Sequence, residues 1–166
     1  MPDKQTLERA AKDKREGKAP TTQAGEFVRE EIEHIREGKH GARSPEQAIA
    51  IGLSKARRAG VDLPPPKKGT VSEKTRRSAK RAYKAGQKTT KKTSTKRARA
   101  VERALKREPR STVSKKALSK HARSAAKRRS ASSRSASARK ATKTKGAAVR
   151  SSAARKAART RARRGK

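Results

Sequence analysis

Adjacent Lys and Arg residues are the side chains in this sequence best suited to chemistry, and that chemistry is the neutralisation of phosphate. Both side chains stay charged at neutral pH and release condensed counterions when they bind a phosphate polymer. The predicted binding residues are Lys67/Lys68, Arg76/Arg77, Lys91/Lys92, Lys127/Arg128/Arg129 and Arg161/Arg163/Arg164. We expect no cluster to dominate, because each should contribute in proportion to its charge.

Few side chains in the sequence could form a disulfide, a metal site or a catalytic site. The sequence has no Cys, which excludes disulfides and thiolate ligands, and His34, His40 and His121 do not make a zinc set without Cys. The segment from Glu31 to His34 matches the Glu-x-x-His half-site of di-metal bundles, but it occurs once, so surface charge is the better interpretation. We predict a protein that is not an enzyme and that has no catalytic residue, metal, cofactor or small-molecule substrate.

Charge and apolar residues are segregated along the 166 residues, whose formal net charge is +37. Residues 1–62 contain 13 basic and 11 acidic side chains, residues 63–109 contain 17 and 3, and residues 110–166 contain 21 and none. The large apolar residues concentrate between Phe27 and Leu63. Chains with so few apolar residues and so much charge rarely bury enough apolar surface to offset the conformational entropy that is lost on folding. The pattern therefore indicates a small folded module followed by a cationic tail.

The first helix of the module is predicted from Thr22 to Glu37. At 100° per residue its apolar face carries Ala24, Val28, Ile32 and Ile35. The opposite side, which we expect to face solvent, carries Glu26, Glu30, Glu33 and Glu37. Gly38 should end the helix in a left-handed turn.

The second helix has a sharper start. Ser44 is placed as the N-cap, Pro45 as the first helical residue and Gln47 as the third, which is a capping-box arrangement. The helix should run to Ala59 and stop at Gly60. A face of mostly small residues should let another helix approach closely, so we predict an antiparallel hairpin.

The fold class expected is mainly α: a small N-terminal helical hairpin followed by a long, basic, largely disordered tail with transient helices. The predicted segments are a flexible 1–21, the hairpin 22–63, a Pro-rich linker 64–71, basic helical segments 72–109 and a disordered Lys/Arg/Ala/Ser-rich tail 110–166. Helices in the basic region are predicted at Ser72 to Ala85, Thr95 to Glu108 and about Thr112 to Arg129. Ile51 should stay exposed, either as a single surface residue or as part of a second contact surface of the hairpin.

Duplex DNA is the expected partner, with RNA left open. Phe27 and Tyr83 are the sole aromatic residues, and Phe27 is placed in the core, so there is no stacking platform for single strands. Glu46 at the start of the second helix argues against a helix-turn-helix, because an acid suits a phosphate-lined groove poorly. The first hypothesis is a histone-like, nucleoid-associated protein that binds duplex DNA without sequence specificity.

Two alternatives belong to other classes. The hairpin could bind a protein partner or a second copy of the chain while the tail localises the complex to nucleic acid, which would make the protein an adaptor. The protein could instead associate with RNA or ribosomes. No apolar run approaches the ~18 residues of a membrane span, and the N-terminus fits neither a signal nor a transit peptide. We therefore expect a cytoplasmic, nucleoid-associated protein with no membrane partner.

The residues from Arg43 to Gly60 read Arg-Ser-Pro-Glu-Gln-Ala-Ile-Ala-Ile-Gly-Leu-Ser-Lys-Ala-Arg-Arg-Ala-Gly. They resemble the motif Ser-x-x-Gln-Ala-Ile-Ala-Ile-x-Leu-Ser-x-Ala-Arg of an uncharacterised family of small basic bacterial proteins. The resemblance covers Thr22 to Pro66 and implies a bacterial cytoplasmic protein without an assigned activity. The C-terminal half is similar in composition to the basic tails of linker histones and bacterial histone-like proteins, which implies DNA binding.

Overall fold

The computed structural model describes residues 2–87, 94–144 and 146–164, and these residues form eight α-helices and one short 3-10 helix. The α-helices are α1 Lys4–Arg15, α2 Pro20–Arg36, α3 Pro45–Arg58, α4 Glu73–Gly86, α5 Thr95–Lys106, α6 Lys115–Arg128, α7 Ala131–Thr144 and α8 Ala147–Arg164. The 3-10 helix, η1, spans Ser111–Val113. The chain divides into two compact units, Met1–His121 and Ala122–Lys166.

The C-terminal part is helical, so the prediction of a small hairpin followed by a long disordered tail is wrong. Helices α6, α7 and α8 occupy most of the segment 110–166, and α1 lies within the segment 1–21 that we expected to be flexible. Ala, Lys and Arg are strong helix formers, and a helix makes its backbone hydrogen bonds locally without a core. The sequence also has no Pro after Pro109 to interrupt a helix. The prediction gave too much weight to the scarcity of apolar residues and to repulsion between like charges, and so allowed this region only transient helices.

Both helices of the predicted hairpin are present, and α2 packs against α3. Gly38 ends α2 with φ +83°, and the hydroxyl of Ser44 accepts a hydrogen bond from the Gln47 amide at 3.3 Å. A Cβ on Gly52 would lie 2.6 Å from Val28 Cα, so the two helix backbones approach closely at this glycine. The predicted end of α2, the N-cap of α3 and the close approach are confirmed.

Val113 of η1 completes the second of two apolar clusters. The first contains Ala10, Ala24, Phe27, Ala56, Val61 and Leu63, and the second contains Ile35, Ala42, Ala48 and Val113. Arg36 donates to the Val113 carbonyl through Nε at 3.3 Å and Nη2 at 3.2 Å, while the Gly41 amide donates to the Leu105 carbonyl at 2.9 Å. The residues around 105–113 therefore belong to the folded unit, and the predicted tail boundary at 110 falls inside it.

Helix α2 turns a different face to the core than predicted. Glu30 is 2% exposed and Glu31 is 0% exposed, so the expectation that Glu30 faces solvent is wrong. Lys55 of α3 places its Nζ 2.7 Å from Glu31 Oε2 and 3.4 Å from Glu30 Oε1, and the Asp3 amide at the start of α1 donates to Glu30 Oε2 at 3.2 Å. Contacts from two other helices partly offset the cost of burying these two carboxylates.

Candidate nucleic-acid interface

Helix α4 is docked on α3 through small residues. Ala79 and Ala82 are buried, and a Cβ on Gly86 would collide with the Arg57 carbonyl oxygen. The Tyr83 hydroxyl donates to Asp62 Oδ1 at 2.7 Å, and this hydrogen bond raises the pKa of Tyr83. These contacts fix which side of α4 faces solvent.

The solvent side of α4 carries a set of cations that we call the α4 basic face: Lys74, Arg77, Lys80, Arg81 and Lys84. All five side chains are exposed. At 100° per residue they fall within an arc of about 120° centred opposite Ala79 and Ala82. A single packed helix thus presents several positive charges in one direction.

Arg76, a predicted site residue, lies at the edge of this arc and is half-buried. Its Nε and Nη2 donate to the two carboxylate oxygens of Glu73 at 2.9 and 2.8 Å. These hydrogen bonds lower the pKa of Glu73. Arg76 is therefore occupied by an ion pair in the first turn of α4. Its neighbour Arg77 also lies 3.6 Å from Glu73 Oε1 through Nε, but its side chain is 72% exposed and belongs to the α4 basic face.

The other predicted site residues lie at helix ends and turns. Lys67 and Lys68 are exposed in the turn before α4, where the Thr70 hydroxyl donates to the Lys67 carbonyl at 2.7 Å. These two share the first unit with Arg76 and Arg77. Lys91 and Lys92 lie outside the described residues.

The predicted site residues of the second unit are all exposed. They are Lys127 and Arg128 in the last turn of α6, Arg129 after it, and Arg161, Arg163 and Arg164 in the last turn of α8. Arg129 Nη2 donates to the Ser133 carbonyl at 3.1 Å, which ties its guanidinium to the first turn of α7. The remaining cations named here end their helices, where positive charge is favoured by the helix dipole.

Sequence reasoning missed most of the α4 basic face because it searched for cations adjacent in sequence. A helix instead brings together residues three and four apart, and that spacing is readable in the sequence. The same spacing places Arg99, Arg103 and Lys106 on one side of α5, and all three are exposed. A helical-wheel count of cations would have found both faces.

The aromatic residues offer no stacking surface to a nucleic acid. Phe27 is 1% exposed in the first apolar cluster, as predicted, and Tyr83 is half-buried with its hydroxyl held by Asp62. Arg57 is also withdrawn from the surface, because it is buried and donates through Nε to the Leu63 carbonyl at 3.0 Å. Burial lowers the pKa of Arg57, and its role is to hold the chain leading into the Pro-rich linker.

A second group of side chains that could bind a ligand lies where α1, α2 and α3 meet, with its glutamates buried, its histidines half-buried and Asp3 exposed. Glu31, His34 and His40 each offer a ligand atom within 4.8 Å of the others, and Asp3, Glu30 and His34 form a further group of this kind. His34 Nε2 lies 3.1 Å from Asp3 Oδ2, and this hydrogen bond lowers the pKa of Asp3. We call these five residues the carboxylate–histidine cluster.

Residues 21–68 match the model of a family of unknown function (DUF6496). The matched segment contains α2, α3 and the linker that leads to α4, which agrees with the uncharacterised family expected from the sequence. No curated protein and no solved structure matches the chain. In the part of the chain that the structure describes, no helix combines the length and apolar character needed to cross a membrane.

Proposed function

We propose that this protein binds duplex DNA with little sequence preference, as a histone-like, nucleoid-associated protein. The supporting observation is the exposure of its cations: every described Lys and Arg from Lys67 onward is exposed except the half-buried Arg76. Exposed cations can reach phosphates, and each one that does so releases counterions. Since residues 110–166 contain no acid, little in that region competes with phosphate for them.

The α4 basic face is the part of the molecule best arranged to contact a duplex. Its five cations are carried by a helix that Ala82 and Tyr83 anchor to the rest of the unit. Groups held on a packed element lose less freedom on binding than groups on a mobile chain. Each phosphate contact made by this face should therefore contribute more to the binding free energy than a contact made by a cation on a mobile chain.

Low sequence preference follows from the kinds of side chain available. Direct readout of adenine commonly uses Asn or Gln, and α4 contains neither. Phosphate contacts position a protein on a duplex but carry no sequence information. Lys and Arg can also bind guanine in the major groove, but a surface whose cations mainly contact phosphate should distinguish poorly between sequences.

The second unit suits contact with more than one duplex. Helix α8 carries cations on several sides, since Arg150, Arg155 and Lys156 lie at least about 100° apart around the helix. Cations pointing in different directions can neutralise phosphates of neighbouring duplexes. Such bridging is what a nucleoid-associated role requires.

The direct test compares three ligands of equal length and charge with the full chain: two duplexes of different base composition and one structured RNA. Fluorescence anisotropy at fixed KCl should give duplex affinities within about threefold of each other, because non-specific binding is dominated by phosphate contact. RNA should bind more weakly. Tighter binding of the RNA would assign the protein to RNA, and a large preference for one duplex would contradict non-specific binding.

A further inference from the structure

The carboxylate–histidine cluster has no part in phosphate binding, and its most buried member is poorly satisfied. Glu31 is 0% exposed, and neither of its oxygens has a hydrogen bond among the described residues. Lys55 Nζ lies 2.7 Å from Oε2 and His40 Nε2 lies 3.3 Å from Oε1, but at angles that do not make hydrogen bonds. A buried carboxylate in this state needs a further positive partner.

The two buried glutamates carry one more negative charge than their shared cation supplies. Glu30 and Glu31 are both buried, and Lys55 contacts both of them. Asp3 is exposed and has Lys39 near it, so water and that lysine offset its charge. A divalent cation bound by Glu31 would supply the positive charge that the buried pair lacks.

The hydrogen bonds of the two histidines orient a lone pair of each ring toward the cluster. His40 Nδ1 lies 3.0 Å from the Gly41 carbonyl oxygen, which can only accept, so this nitrogen carries the proton and Nε2 carries the lone pair. His34 Nε2 lies 3.1 Å from the Asp3 carboxylate, so its Nδ1 carries the lone pair. In metal sites, a ligating His typically donates its other N–H to a carboxylate or a backbone carbonyl, and both histidines do so here.

We propose that Glu31, His34 and His40 bind a divalent transition-metal ion such as Zn²⁺. Two imidazole nitrogens and one carboxylate oxygen are a ligand set used by zinc in sites that keep an open position. Zinc bonds of about 2.0–2.2 Å would hold the ligand atoms about 3.4 Å apart, and the three already lie within 4.8 Å of one another. The ion would bind Oε1 of Glu31, which lies near His40, because Lys55 already contacts Oε2.

The fold holds the ligands in place independently of a metal. Glu31 and His34 are three residues apart on α2, so they share a face of that helix. His40 follows the left-handed turn at Gly38, and the next residue, Gly41, is fixed by its hydrogen bond to the Leu105 carbonyl. The proposed ion would tie this loop to α2, inside the segment that matches the family model.

The test uses the full chain without an affinity tag, stripped of metal by a chelator. Zn²⁺ should bind at one ion per chain in competition with a chromophoric chelator, and Co²⁺ should give the absorption of a low-symmetry site. His40→Gln should lower the Zn²⁺ affinity by at least about 100-fold, because loss of an outer partner alone typically costs 10–100-fold. The matched control is His121→Gln, which removes an imidazole paired with Glu46 at 2.7 Å and should bind as the wild type does.

A third variant separates loss of the metal site from loss of folding. Asp3→Asn changes an exposed residue that positions His34, so it should weaken Zn²⁺ binding by about 10-fold while circular dichroism shows unchanged helicity. Binding that is retained by His121→Gln and lost from His40→Gln supports the site. Absence of stoichiometric Zn²⁺ binding in the wild type, or equal binding by His40→Gln, overturns it.

Discussion

Replacing Lys80, Arg81 and Lys84 with Gln removes three charges from the α4 basic face while leaving its packing intact. All three side chains are exposed and lie away from Ala79 and Ala82, which contact the rest of the unit. Gln has nearly the helix propensity of Lys and Arg, so α4 should keep its structure. The variant therefore isolates the contribution of charge on this face.

The size of the effect follows from counterion release. If the three side chains each contact one phosphate, the slope of log K against log salt should become less steep by about 2.7, at about 0.9 per contact. The counterion contribution to log K is proportional to log salt and vanishes at about 1 M. The triple variant should therefore bind about 500-fold more weakly than the wild type at 0.1 M KCl and about 25-fold more weakly at 0.3 M KCl. The loss should thus shrink as salt is added.

The matched control removes the same charge from α1, another helix of the first unit. Lys4, Lys14 and Arg15 are exposed on α1, in the near-neutral segment, and their replacement by Gln should change the slope by less than about one contact, or 0.9. Anisotropy titrations of both triple variants over a KCl series give the comparison. Equal losses for the two variants would show that only total charge matters and would refute an interface on α4.

Three further predictions concern the folded unit. Gly41→Ala places a Cβ against a neighbouring backbone carbonyl and should destabilise the unit by about 1–3 kcal/mol, whereas Gly25→Ala, with open space around it in α2, should be neutral or stabilising in urea unfolding. Val113→Ala empties part of a fully buried site and should cost about 1–3 kcal/mol, while Val101→Ala at an exposed position should change stability by less than about 0.5 kcal/mol. Hydrogen bonds from its own backbone amide, from Ser44 and from His121 lower the pKa of Glu46 below its ordinary value of 4.5. The stability that the ionised carboxylate contributes above pH 4.5 should therefore be lost as the pH drops, and Glu46→Gln should flatten that dependence in thermal unfolding at acid pH.

Local signals in the sequence predicted the central helices well. The N-cap Ser44 and the glycines Gly38 and Gly60 act through short-range backbone geometry, so their roles are readable without knowledge of the fold. The left-handed backbone at both glycines, φ +83° and +87°, is what such a reading expects. Small residues on α3 likewise predicted the close approach at Gly52.

Features that depend on distant residues could not be read in the same way. Helical periodicity placed Glu30 in solvent, because it counts apolar residues and ignores partners such as Lys55, which lies 25 positions along the chain. Val113 joins the core from 77 positions beyond Arg36, in a segment whose composition suggested disorder. Glu31 was interpreted as surface charge because its half-site occurs once in the sequence, and its proximity to His40 depends on the loop that follows α2.

The dependence of duplex affinity on KCl tests the central claim most directly. If roughly 10–15 side chains of the full chain engage phosphates together, log K should fall against log KCl with a slope of about −9 to −13. A mixed-sequence duplex is sufficient, because base identity should matter little. A slope near zero, or a short specific duplex that outcompetes bulk DNA a thousandfold, would contradict binding by counterion release.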